Sequence, residues 1–332
     1  MKEHNAAKGK VEDNQTQSPR NGQKKQVVFL DAETMDLPSL DTSVLDSLNA
    51  DITLYQQTHA EEVAERIRAA DAVLVNKVVL KAEDLKQAKQ LGYIGVTATG
   101  MNNIDHDYCK QADISVQNVE GYGTDSVAQH TLTLALNLAT NFVAYQRDME
   151  SQAWSASSHF CLLSHPVVEL AGKHAVIVGH GELGKRVEAL FKAMGMKVSI
   201  AARPGKQDDP RPSLASLLPD ADVISLHCPL TEDTEKLINA DTLSLMKSTA
   251  FLINTARGGL IDEKGLYHAL KHNKIGGAGL DVLSVEPPPV DHILLKEPLP
   301  NLLITPHNAW IGNGARQKLF DKALTHLADF LG

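Results

Sequence analysis

The chain is poor in cysteine. Its 332 residues hold three, Cys109, Cys161 and Cys228, widely spaced and with no C-x-x-C pair. That argues against a disulfide framework or a structural zinc site and points to a reducing, cytoplasmic setting. No metal site is expected. No apolar run is long enough to span a bilayer. Basic charge is in deficit: 32 Lys and Arg stand against 41 Asp and Glu, a formal charge of −9. An acidic chain is a poor partner for nucleic acid or a membrane surface, though it can still hold a local basic pocket for a small anion. Residues 1–25 are polar and lysine-rich, lack the apolar core of a secretory signal, and read as a disordered leader.

What is present is ordinary globular chemistry, 43% apolar and 22% charged residues, on a chain long enough for two domains. From residue 27 onward strand-like and helix-like segments alternate. Strands are expected at 27–31, 52–55, 72–75, 93–96 and 114–119, with helices at 60–70 and 82–91. A second series runs from 173 to 304, with strands at 175–178, 197–201, 223–226, 250–253, 277–280 and 302–304 and a helix at 182–194. Residues 314–331 have helical periodicity. Such a rhythm with short connections favours parallel sheets covered by helices. The expected architecture is α/β, with two doubly wound parallel-sheet domains and a cleft between them. Between the two series, residues 126–149 read as one long helix, apolar nearly all round in its first half, opened by a capping box of Ser126 and Gln129.

The run Gly179-His180-Gly181-Glu182-Leu183-Gly184 follows a strand and opens a helix. The first glycine permits the tight turn, the second lets backbone amides approach a pyrophosphate, and the third lets helix and strand pack closely. The helix N-terminus then offers unpaired N–H groups to the anion. After the next strand an acid is missing. An NAD site usually places Asp or Glu there for the ribose 2′-hydroxyl, but this chain has Ala201-Ala202-Arg203-Pro204-Gly205-Lys206. Arg203 could clamp a 2′-phosphate and Lys206 could add charge. The cofactor is therefore NADP or NAD, with NADP favoured. His180 could touch the pyrophosphate or lie exposed.

Three further loops each follow an apolar run: 254–259 with Arg257, 281–288 with Glu286, and 305–310 with His307. All three residues sit past the carboxyl ends of strands, where open α/β sheets bind ligands. Arginine's planar fork matches the two oxygens of a 2-oxo acid. Histidine titrates near neutral pH and serves as proton donor or acceptor, and a neighbouring carboxylate favours its charged form.

These motifs, with His227-Cys228-Pro229-Leu230-Thr231 between them, occur in the order of the D-isomer-specific 2-hydroxyacid dehydrogenases, which the chain resembles from about residue 27 to its end. Val75-Asn76-Lys77-Val78-Val79, residues 98–105, Gly121-Tyr122-Gly123-Thr124 and Ala309-Trp310 are most similar to the hydroxypyruvate reductase (glycerate dehydrogenase) branch. The resemblance implies a flavodoxin-like substrate domain from 26–122 and 307–332, and a Rossmann-type dinucleotide-binding domain from 123–306. It implies that Arg257 binds the carboxylate and carbonyl oxygen of a 2-keto acid. His307 would be the general acid in reduction and Glu286 the partner of its imidazole. Asn76, Lys77, Val78 and Gly100 would line the substrate cleft, with backbone amides holding the carboxylate. Cofactor contacts would come from Gly179, Gly181, Glu182, Leu183, Gly184, Arg203, Pro229, Thr234, Thr255, Ala256, Arg257, Asp281 and His307, with Asp281 facing the nicotinamide amide.

A homodimer built around 126–149 is a further implication. The expected activity is reduction of hydroxypyruvate or glyoxylate, or of another 2-keto acid. Formate dehydrogenase is disfavoured because Glu286 stands where glutamine is expected. Phosphoglycerate dehydrogenase is less favoured because the chain is short for an added regulatory domain. From another class, a dinucleotide-sensing corepressor shares the three residues and would work by binding partners; turnover separates the two.

Overall fold

The computed structural model describes residues 24–206 and 208–332. Residues 1–23 of the expected leader lie outside that range, while Lys25 already opens the first strand. The first sheet comprises β1 (Lys25–Phe29), β2 (Ala50–Leu54), β3 (Ala72–Val75), β4 (Tyr93–Val96) and β5 (Ser115–Gln117), all parallel in the order β2-β1-β3-β4-β5. This order reverses between β1 and β3, as in flavodoxin-like sheets. Its connections carry short helices: α1 (Ser43–Ser47), α2 (Val63–Ile67), α3 (Ala82–Leu85) and α4 (His106–Gln111).

Two helices lead to the second sheet, α5 (Thr124–Thr140) and α6 (Phe142–Glu150). That sheet has β6 (His174–Val178), β7 (Lys197–Ile200), β8 (Val223–Leu226), β9 (Phe251–Asn254), β10 (Gly277–Leu280) and β11 (Leu302–Ile304), again all parallel, in the order β11-β10-β9-β8-β6-β7. Helices α7 (Glu182–Ala193), α8 (Leu214–Leu217), α9 (Ala240–Leu245) and α10 (Glu263–Lys271) cover it. The final helix, α11 (Asn313–Leu331), returns to the first sheet.

Period-two alternation in the strands builds a core on each face of each sheet. In β1, Val28 joins Val63, Ile67 and Leu85 on one face. Val27 and Phe29 join Leu319, Phe320, Ala323, Leu324 and Leu327 of α11 on the other. In β6, Val176 and Val178 face a cluster with Leu266 and Leu270 of α10. Ala175 and Ile177 face Ala128, Leu134 and Leu138 of α5, with Val187 and Phe191 of α7. Among the described residues no helix is long and apolar enough to cross a membrane.

Several elements differ from the sequence reading. The single helix over 126–149 is two, because Asn141 adopts the left-handed region (φ 50°) between α5 and α6; asparagine tolerates it better than most residues. No capping box forms: Gly123 caps α5, and Ser126 lies inside the helix with its hydroxyl donated to the Ala309 carbonyl at 2.6 Å. The helix over 60–70 is a 3-10 turn, Ala60–Glu62, running into α2, and that over 82–91 stops at Leu85. Tertiary packing overrides local propensity in such short connections.

Candidate active site

The cleft is formed where the carboxyl edges of the two sheets meet. In the second sheet the strand order reverses beside β6, and the glycine loop occupies that switch point. Gly179 has φ +95°, and a side chain there would run into the backbone of His227 and Cys228 just past β8. A side chain on Gly184 would collide with the Gly179 carbonyl. Gly181 has nothing within 4 Å of where a Cβ would lie. Two glycines thus draw helix α7 against the sheet, while the third leaves its N-terminus open. That concavity, facing unpaired helix N–H groups, fits a pyrophosphate.

The neighbouring side chains turn away from it. Glu182 accepts the Thr124 hydroxyl at 2.7 Å. Leu183 packs into the core shared by α5 and α7. His180 is 2.6 Å from Glu188, two turns along α7, and Lys192 reaches the other oxygen of the same carboxylate at 2.7 Å. Lys192 and His180 hold Glu188 below the usual carboxylate range.

Beyond β7, Arg203 is mostly exposed. Its backbone N–H donates to Asp209 at 2.9 Å, and its Nε is 3.6 Å from the same oxygen. Asp209 itself is gripped by Arg211 through Nε and Nη2, at 2.8 and 2.5 Å, which holds its carboxyl far below the ordinary range. Sequence reading passed over Asp209 and Arg211, six and eight residues past Arg203. Thr234 is buried and closes the 229–234 turn, donating to the Pro229 carbonyl at 2.8 Å and accepting from Thr231 N–H at 2.7 Å. His227 lies between this turn and the glycine loop. Its Nε2 is 2.8 Å from Ser225 Oγ, while Nδ1 is shut off from water without a partner. Although His227 keeps some exposed surface, desolvation of the ring holds its pKa down to about 3.

The loop after β9 is set by the buried Asn254. Its Oδ1 accepts Ala256 N–H at 3.0 Å and its Nδ2 donates to the Arg257 carbonyl at 2.9 Å. Thr255 meets Thr131 of α5, hydroxyl to hydroxyl, at 2.9 Å. Arg257 donates from Nη1 to the Ala256 carbonyl at 2.7 Å. Its Nη2 reaches the other domain, where a Cβ on Gly100 would lie 3.0 Å away. Burial raises the Tyr122 hydroxyl pKa, and the charge of Arg257 opposes that rise. Burial and Arg257 push the Lys77 ammonium down, against Glu286 and Asp31. Lys77, Tyr122 and Gly100 therefore all lie near Arg257.

The first domain's switch point holds a correction. The backbone amides of Asn76, Lys77 and Val78 were expected to hold a substrate carboxylate. They instead donate to the buried carboxylate of Asp31, at 2.8, 2.6 and 3.1 Å. Asp31 follows β1 and the 76–78 turn follows β3, so the sheet's reversal brings them together. A protein carboxylate already fills that nest of N–H groups, which leaves Lys77 and Gly100 to face the cleft.

Past β10, Glu286 accepts Leu283 N–H on Oε1 at 2.9 Å and lies 2.6 Å from His307 Nδ1 through Oε2. Burial would raise the Glu286 pKa, but the His307 and Leu283 hydrogen bonds and the nearby charges outweigh it and hold the group below its ordinary value. As a carboxylate it accepts Nδ1–H, so Nε2 is the imidazole nitrogen left for proton exchange. His307 itself stands in the left-handed region (φ 51°), which costs a side-chain-bearing residue energy and needs support.

That support comes from Asp281. Its Oδ1 accepts the Thr305 hydroxyl at 2.6 Å and Asn308 N–H at 3.0 Å, and its Oδ2 accepts Ala309 N–H at 2.9 Å. His130 of α5 bonds the same Thr305 hydroxyl at 2.8 Å. Asp281 was expected to face a nicotinamide amide; in the structure it is buried and both oxygens are committed to the loop that carries His307. Among the described residues no group of three or more His, Cys, Asp or Glu side chains is placed to hold a metal.

The chain is 40% identical over 312 residues to a glycerate dehydrogenase of Methylorubrum extorquens, spanning 92% of this chain and 96% of that one. It is 34% identical over 313 residues to a hydroxypyruvate reductase of Blautia hydrogenotrophica, spanning 92% and 96%. Its fold matches an acyclic imino acid reductase solved with NADPH and D-arginine, with a TM-score of 0.77 and 27% identity over 92% of this chain and 97% of that one. Residues 132–309 match the family D-isomer specific 2-hydroxyacid dehydrogenase, NAD binding domain. The two facing parallel sheets are thus a Rossmann-type NAD(P)-binding domain and a substrate domain, and the chain belongs to the D-isomer specific 2-hydroxyacid dehydrogenase family.

Proposed function

We propose that the protein reduces hydroxypyruvate to D-glycerate or glyoxylate to glycolate. The observation that carries this reading is the His307–Glu286 contact of 2.6 Å, on the same sheet edge as Arg257. A dinucleotide held at the Gly179–Gly184 loop would supply the hydride. The guanidinium of Arg257 takes the substrate's carboxylate and keto oxygen in its planar fork, which turns C2 toward the cofactor side of the cleft. As C2 gains hydride, negative charge grows on its oxygen, and His307 delivers the Nε2 proton there. Glu286 keeps the proton on Nδ1 and stabilises the cation before transfer. In oxidation the same imidazole takes the hydroxyl proton back.

Small substrates fit this reading. Lys77 places a second cation beside Arg257, suited to a short polar acid. The relatives named above as acting on glycerate and hydroxypyruvate support the same substrate class. NADPH is the favoured cofactor, because Ala202 offers no carboxylate to repel a 2′-phosphate and the exposed Arg203, though its Nε lies 3.6 Å from Asp209, can turn its Nη groups to one. The three cysteines are free thiols, in keeping with a cytoplasmic enzyme. Self-association would use α6 and the segment after it, where Phe142, Trp154, Phe160 and Leu163 are exposed. The deciding experiment is a panel of 2-keto acids assayed with NADH and NADPH in parallel. Highest kcat/KM for hydroxypyruvate or glyoxylate is expected; no turnover of any 2-keto acid would replace the enzyme with a binding protein.

A further inference from the structure

Glu286 stands on an unsupported stretch of chain. Residues 284–290 are all exposed, Val290 almost completely, and no helix or strand crosses them. Yet the Glu286 carboxylate is held 2.6 Å from His307. Something must fix a loop that packing does not.

The fixing group is Glu263, the first residue of α10. Its Oε1 accepts Ser284 N–H at 2.8 Å and its Oε2 accepts the Ser284 hydroxyl at 2.5 Å. The same Oε2 lies 3.1 Å from His292 Nε2. His292 is buried, and its Nδ1 accepts Leu294 N–H at 3.3 Å. That leaves Nε2 to carry the hydrogen and donate it to Glu263. Ser284 opens the exposed excursion and His292 closes it, so a single carboxylate clasps both feet of the loop that bears Glu286. Glu263 is shielded on its helix, its side chain only 12% exposed, so the clasp works where water competes weakly.

The clasp also sets this loop against the arginine. A side chain on Gly258 would overlap the backbone of Leu283 and Ser284, so the two loops touch main chain to main chain. Glu263 follows Arg257 by six residues and holds Ser284, which takes part in that contact. We propose that Glu263 is a positioning residue. By holding Ser284 and His292 it sets the Glu286 carboxylate, and through it the His307 imidazole, relative to Arg257. A displacement of about 1 Å at such a pair is enough to cost on the order of a hundredfold in rate.

The inference rests on the reading of Glu286 as partner of the proton donor. Its test is steady-state kinetics of the full-length protein with glyoxylate and hydroxypyruvate, together with cofactor binding followed by NADPH fluorescence. Glu263→Gln is expected to lower kcat roughly tenfold to a hundredfold. KM and the NADPH Kd should stay within about twofold, since Arg257 and the glycine loop are untouched. In a Glu286→Gln background, Glu263→Gln should change kcat by less than about threefold, because it has no partner left to position. Ser284→Ala, at an exposed residue, should give a smaller loss of the same kind and keeps the test open if Glu263→Gln does not fold.

An unchanged kcat in both Glu263→Gln and Ser284→Ala would overturn the proposal. So would a loss that persists in full in the Glu286→Gln background, which would mark Glu263 as a general structural residue. An unimpaired Glu286→Gln overturns instead the Glu286–His307 reading. An impaired Glu286→Gln beside a fully active Glu263→Gln removes only the role of Glu263.

Discussion

Thr305 donates its hydroxyl to Asp281 at 2.6 Å, two residues before His307. The contact ties the end of β11 to the end of β10, and two backbone amides complete the grip on the same carboxylate. His307 keeps its left-handed backbone because its neighbours on both sides are fastened.

Asp281→Ala should therefore impair both stability and rate. It strips the part-buried 305–309 loop of three hydrogen bonds to a charged acceptor, each of the order of 1.5–3 kcal/mol. A loss of about 3 kcal/mol in unfolding free energy is expected in urea titration, with kcat reduced at least tenfold. Stability within 0.5 kcal/mol of the parent, on the order of a surface substitution, would mean that Asp281 does not anchor the loop.

His307→Ala and Arg257→Lys should fail differently. The first removes proton transfer, so kcat should fall about 10²–10⁴-fold while NADPH still binds in a fluorescence titration. The second keeps charge but loses the fork, so KM for the keto acid should rise and kcat/KM should fall by about a hundredfold. If His307→Ala kept its kcat, another group would have to be the proton donor.

Cofactor preference should follow Arg203. Arg203→Ala should raise KM for NADPH about tenfold or more, since a charge-assisted contact to phosphate is worth about 1.5–3 kcal/mol, and leave KM for NADH nearly unchanged. Equal effects on the two cofactors would place Arg203 outside the 2′-phosphate site. Asp209 shapes the expectation: bound by Arg211, it does not fully neutralise Arg203.

Acid should destabilise the protein earlier than its carboxylates alone would dictate. The His227 ring is held to about 3 in the folded chain, against an ordinary 6.5. Below 6.5 the unfolded chain takes up a proton that the folded chain refuses, so this contribution to stability is lost as pH falls from 6.5 toward 3. Glu286 and Asp209, both lowered on folding, act in the same direction at more acidic pH. Melting temperatures measured from pH 7 to pH 5 should fall, and the slope should be shallower in His227→Gln, whose amide can still meet Ser225. Parallel slopes in the two proteins would assign the acid sensitivity elsewhere.

The exposed apolar side chains after α6 make a separate prediction. Phe160 and Leu163 are 90% and 89% exposed, an arrangement that an isolated chain rarely keeps. Sedimentation of the wild-type protein should give a dimer, and a Phe160→Asp, Leu163→Asp double variant should shift toward monomer. A wild-type monomer at micromolar concentration would remove the dimer from the reading.

Local patterning alone determined a good deal of this protein. Alternating apolar runs and glycine turns define both parallel sheets, because a strand buried on two faces must be apolar and a pyrophosphate turn must lack side chains. Order along the chain placed Arg257, Glu286 and His307 past strand ends, since a parallel sheet puts every such end on one rim. The tertiary structure decided which partners meet across distances the sequence does not encode. Asp31 fills the amide nest at 76–78, Asp281 turns inward to hold the loop around His307, and Glu263 clasps an excursion 21 to 29 residues away. Each is a carboxylate whose role depends on which N–H groups the fold brings within hydrogen-bond distance. A run of letters marks a residue as acidic; only the packed chain shows whether that charge meets an arginine or the backbone beside His307.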